Sequence, residues 1–123
     1  MRFKDYFVKD FETHDDHYYP ELKTHYYRCK ADDALIAVHS LIEEVKGKII
    51  DENEMYQEIY FETAGYSCIC KVTVTSPVET AVDFKVTTYN LFGFGKGKKV
   101  IEELYQKLDK KISFKGVGLF KGM

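Results

Sequence analysis

Between Met55 and Asn90, apolar and polar residues alternate with period two in three runs: Met55–Thr63, Tyr66–Thr75 and Ala81–Asn90. β-Branched and aromatic residues dominate them. Ala64-Gly65 and Ser76-Pro77 break the runs with turn chemistry. This pattern predicts three strands of an antiparallel meander. Met55, Gln57, Ile59 and Phe61 share one face of the first strand. Tyr66, Cys68, Cys70, Val72 and Val74 share one face of the second, and Val82, Phe84 and Val86 one face of the third. One apolar and one mostly polar face per strand describes a sheet covered on one side.

The covering elements are two segments with helical spacing. Ala34, Leu35, Val38, Leu41, Ile42 and Val45 form one apolar stripe and predict a helix over about 32–46. Asp32 or Asp33 is expected to cap it, and Gly47 to take the left-handed position past its end. Val100, Ile101, Leu104, Tyr105, Leu108 and Ile112 predict a second helix over about 98–112, with Glu103 and Lys107 as an i,i+4 ion pair.

Outside this frame, Leu22–Cys29 reads as a strand. Lys48–Asn53 is either the early start of the next strand or a short strand of its own. Phe3, Phe7 and Phe11 fall four apart, as on one face of a short N-terminal helix. The expectation is a single α+β domain spanning 1–123. It holds an antiparallel sheet of about four strands in the order β-α-β-β-β-α, with two amphipathic helices on one face and room for the short N-terminal helix. Residues 1–21 form an N-terminal extension and 113–123 a C-terminal tail.

Composition changes this picture little. Apolar residues make up 45%, charged residues 31%, and the net charge is −2, which gives no basic surplus for nucleic acid. Ten Tyr and nine Phe without Trp suit half-buried strand positions as well as binding surfaces. Three cysteines, an odd number, argue against a disulfide framework. Lys4, Asp5, Lys9 and Asp10 interrupt any signal-peptide core, and no apolar run is long enough to span a membrane. A cytoplasmic protein is expected.

Candidate chemistry is sparse. Gly93, Gly95, Lys96, Gly97 and Lys98 open the second helix, where backbone N–H groups and lysines suit an anion. The spacing is that of neither a Walker loop nor a dinucleotide fingerprint, so a plain strand-to-helix connection competes. His14, Asp16 and His17 are metal-ligand types, yet their spacing is not that of a helical metal motif and a solvated loop competes. Cys68 and Cys70 lie in register with Val72 and Val74, which favours core packing over thiol chemistry. His39 sits at the edge of the first stripe. No nucleophile–base pair can be named, so an enzyme ranks last and no cofactor is expected. The leading expectation is a small binding domain for a protein partner or a second copy, through Phe3, Phe7, Phe11, Phe114, Leu119 and Phe120. The alternative is a small-ligand or anion-binding protein using the Gly-Lys loop.

Overall fold

The computed structural model describes residues 10–13, 22–55, 57–88, 96–112 and 114–117, with the backbone only at 10, 11 and 114–117. These form an α+β fold of two helices and seven antiparallel strands. The strands are β1 (Asp10–Glu12), β2 (His25–Tyr27), β3 (Lys48–Asn53), β4 (Glu58–Glu62), β5 (Tyr66–Ser76), β6 (Glu79–Thr88) and β7 (Phe114–Val117). Helix α1 spans Ala31–Glu44 and α2 spans Lys96–Asp109. The sheet order is β3-β4-β5-β6-β2-β7, and β1 also pairs with β6.

The expected meander is present as β4, β5 and β6. Thr63 builds the first turn: its hydroxyl accepts from the N–H groups of Gly65 and Tyr66, both at 3.2 Å. Pro77 and Val78 make the second turn, between Ser76 and its partner Glu79. The register aligns Ile59, Cys70 and Phe84 in one cross-strand row and Phe61, Cys68 and Val86 in the next. All six are buried, in one core with Ala34, Val38, Leu41 and Ile42 of α1 and Ile101, Leu104, Tyr105 and Leu108 of α2. Both helices therefore lie on one face. Full burial of a Phe or Leu side chain contributes roughly 1.5–3 kcal/mol, so this face carries most of the fold's stability.

Several local expectations are corrected. Met55 and Gln57 are not part of the strand face. Met55 stands exposed in the turn before β4, and Gln57 takes a positive φ of 52°. The α1 N-cap is Lys30, without a side-chain cap, and Asp32 and Asp33 sit inside the first turn. At the other end Lys46, at φ 60°, takes the left-handed position. The N–H of Lys46 donates to Glu43 O at 3.0 Å and that of Gly47 to Ile42 O at 2.8 Å, the paired bonds of a Schellman ending. Gly47 is instead required for space: a Cβ there would lie 2.8 Å from the Phe61 ring and 3.0 Å from Ile42 Cγ2.

The additional strands come from unpaired edges. The expected strand within Leu22–Cys29 is present as β2 and covers residues 80–82 of β6, and the additional β1 covers 85–87 of the same edge. Phe11 lies in β1 opposite Val86 and so is not on the expected N-terminal helix. An eleven-residue helix has little stability of its own, whereas strand pairing satisfies backbone groups on both sides. Phe114 lies in β7, opposite Tyr27. No helix among the described residues is long and apolar enough to cross a membrane.

Candidate functional site

Two features stand out on the helix side of the sheet. The first is a polar network between α2 and the β1–β6–β2 end. The Asp109 carboxylate, in the last turn of α2, receives the Tyr27 hydroxyl at 2.7 Å and His25 Nδ1 at 3.0 Å on the same oxygen. A carboxylate oxygen accepts, so Nδ1 carries the proton. The His25 ring stacks on Tyr105 with centroids 3.6 Å apart and planes within 7°. The Tyr105 hydroxyl donates to Val82 O at 2.6 Å and lies 3.2 Å from Thr13 Oγ1. Thr13 donates to Asp83 at 2.6 Å while accepting the Phe84 N–H at 2.9 Å, and Thr24 also donates to Asp83, at 2.5 Å.

Burial, then the hydrogen bond to Asp109, pushes the Tyr27 phenol far above its ordinary range. Burial does the same to Tyr105, reinforced by the charge on Asp83. Both phenols remain neutral donors. An open recess of about 300 Å³ lies beside the network, lined by His25, Glu102, Tyr105, Gln106 and Asp109. The network joins β2 to the last turn of α2, where the helix dipole disfavours a carboxylate. Two donors on Asp109 offset that cost, which gives the cluster a structural purpose.

The second feature is a groove of about 480 Å³ between α1 and the turn after α2. Ala37 and Ile112, both packed into the core, line it with Cys29, and Ile36, Asp33, Ser40 and Lys111 stand at its rim. The Cys29 thiol is pushed up chiefly by burial, which lowers its reactivity. Ile36 is 68% exposed, on a helix whose Ala34, Val38, Leu41 and Ile42 are buried. Glu44, at the far end of α1, bonds Lys107 and Lys111, both at 2.8 Å.

The sites expected from sequence fare unevenly. Lys96 and Lys98 lie in the first turn of α2, which contains no acidic residue, and Gly97 is buried there. The Lys96 ammonium reaches the β4–β5 turn, 3.8 Å from where a Gly65 Cβ would sit. Gly93 and Gly95 lie outside the described residues, as do His14, Asp16, His17, Phe3, Phe7, Leu119 and Phe120. Among the described residues no group of three or more His, Cys, Asp or Glu is arranged to hold a metal. Cys68 and Cys70 are buried core thiols, as their register predicts. His39 is a boundary residue whose Nε2 lies 2.7 Å from Glu52 Oε1. The His25–Asp109 pair was not legible from spacing, since its partners are 84 positions apart. An acid in the last turn of a helix was the one available signal.

The fold and these two features define a small α+β domain with helices on one face of an antiparallel sheet. Comparison with known protein families finds no match, and no curated protein is detectably similar in sequence.

Proposed function

We propose that the chain is a non-catalytic binding domain for another protein, working in a reducing compartment such as the cytoplasm. The carrying observation is Ile36, a large apolar side chain left 68% exposed at the rim of an apolar-floored groove. Fixed concave surfaces with apolar floors and a few polar groups suit ligand side chains. Three free thiols, two of them in the core, support a reducing compartment. To test the reading, peptides from a random display library are selected on the wild-type protein and counter-screened on Ile36→Glu, with circular dichroism confirming that the variant is folded. Peptides that bind the wild type and lose the variant are expected. A library that yields only peptides binding both equally, or none, refutes it.

An anion-binding role is the second reading. It is favoured by Lys96, Lys98 and Lys99 at the start of α2, where the helix dipole opposes cations and the first turn itself contains no acidic residue. Inorganic phosphate is then expected to raise the melting temperature of the wild type and not of Lys99→Ala. An unchanged melting temperature in both removes this reading.

A further inference from the structure

We infer that the sheet face turned away from both helices docks a second copy of this chain, about a two-fold axis that runs along the strands between β4 and β5. Side chains alternate along each strand, so Glu58, Tyr60, Ile69, Lys71 and Lys85 lie on the face opposite the buried Ile59, Phe61, Cys70 and Phe84. The register sets Asp51, Tyr60, Ile69 and Lys85 in one row across β3, β4, β5 and β6. Glu58 and Lys71 stand opposite each other in the next row. Asp51, Lys71 and Lys85 are exposed, and Ile69 between them is 37% exposed. Among the described residues, none of these four charged side chains makes an ion pair within the chain.

The row starts with an acid, ends with a base and is apolar at its centre, so it complements itself about one axis. An axis along the strands exchanges β4 with β5 and β3 with β6. It lays Tyr60 over Ile69 of the second copy. It also sets Asp51 against Lys85, and Glu58 against Lys71, each twice. An apolar centre ringed by opposite charges has the anatomy of a specific interface. An axis along the row would instead stack Asp51 on Asp51, Lys85 on Lys85 and Glu58 on Glu62, which repels. Ile69 borders an open recess of about 400 Å³ that Glu58, Lys71 and Lys85 also line, which gives the opposing side chains a hollow to enter. The free edge of β3 is the poorer route to a dimer. Its ladder shifts register between Ile49 and Asp51, and a bulged edge resists pairing with another chain. Strands β3 to β6 present roughly 500 Å² of face per copy, or about 1,000 Å² between two, the lower end for a specific interface. The dimer is therefore reversible.

Sedimentation velocity of the wild type, from micromolar to millimolar concentration, is expected to show that dimer. Asp51→Lys and Lys85→Asp, each shown folded by circular dichroism, should each weaken it about tenfold or more, because each sets like charges together twice. Within one chain the two positions lie three strand spacings apart, about 14 Å, so only the dimer brings them together. An equimolar mixture of the two variants should recover the wild-type affinity, since every contact in a mixed dimer again joins opposite charges. A wild type that stays monomeric at millimolar concentration overturns the inference, and so does a mixture no more associated than its components. A dimer lost in Ile36→Glu and untouched by both sheet variants would lie at the groove and overturn it as well. The peptide selection reads the groove separately, so the binding role stands or falls on its own.

Discussion

The two helices are held to one sheet by different chemistry. Under α1 the core is apolar: Ile59, Phe61, Cys68, Cys70 and Val72 share one buried cluster with Val38, Leu41 and Ile42. Under α2 the core also contains hydroxyls, bonded at its edge to the half-buried carboxylates of Asp83 and Asp109. Tyr105 reaches across to the Val82 carbonyl, and Tyr27 and His25 reach to Asp109. The cause lies in the strands beneath. Under α1, β5 is paired along its length by β6 and over Ser67–Lys71 by β4 as well, so the backbone groups of that stretch are already paired. Under α2, the outer edge of β6 is shared by two three-residue strands that meet near Asp83 and Phe84. Where ladder pairing breaks, buried polar groups need side-chain partners. The apolar half is expected to supply stability, and the polar half to fix which strand sits where.

The largest effect that can break this contrast is expected at Phe61. It is fully buried and packs its ring edge-on to Tyr66, with centroids 6.3 Å apart. Phe61→Ala is expected to cost about 3–5 kcal/mol, measured by urea unfolding. Tyr105→Phe comes next. It removes one hydroxyl, leaves the Val82 carbonyl without that donor, and retains the ring stacked on His25. A cost of about 1–3 kcal/mol is expected, the penalty of an unsatisfied buried acceptor. Amide exchange at β1 and β2 should accelerate in this variant more than exchange at β4. Equal acceleration across the sheet would mean that the polar cluster does not localise stability as the contrast requires.

The apolar half was the legible half. Period-two alternation from Ile59 to Val86 carries the register, and the stripes of α1 and α2 carry the covering helices, because burial writes its period directly into sequence. The polar half was not legible, for two physical reasons. β1 and β7, three and four residues long, are too short to show a period, and of the short strands at this end only β2 was read in advance, within Leu22–Cys29. The partners of the network are also distant in sequence: Thr13 meets Asp83 and Tyr27 meets Asp109, over separations of 70 and 82. The same limit applies to the groove. Ile36 is absent from the α1 stripe, which marks it as an outward apolar residue. That Ile112 would form the facing wall depended on where α2 ends.

The smallest effect concerns the seam between the halves. Glu44 of α1 bonds Lys107 and Lys111, beside the weaker i,i+4 contact of Lys107 with Glu103 at 3.9 Å. The two lysine hydrogen bonds hold the Glu44 carboxyl down at about 2. A carboxyl with a depressed folded-state pKa contributes stability above its unfolded value of roughly 4.3, and that contribution is lost as pH falls from there toward the folded value. The side chain is 41% exposed, so solvent screens the pair and the effect should be modest. Urea unfolding of wild type and Glu44→Gln is expected to show the wild type more stable at about pH 7, with the gap closing between about pH 4 and pH 2 and shrinking in high salt. Carboxyl titration by NMR should find Glu44 protonating last among the exposed glutamates. If the two stability curves run parallel across that range, the ion pairs do not couple the halves. The helices would then be joined through the buried core shared by Leu41, Leu104 and Leu108.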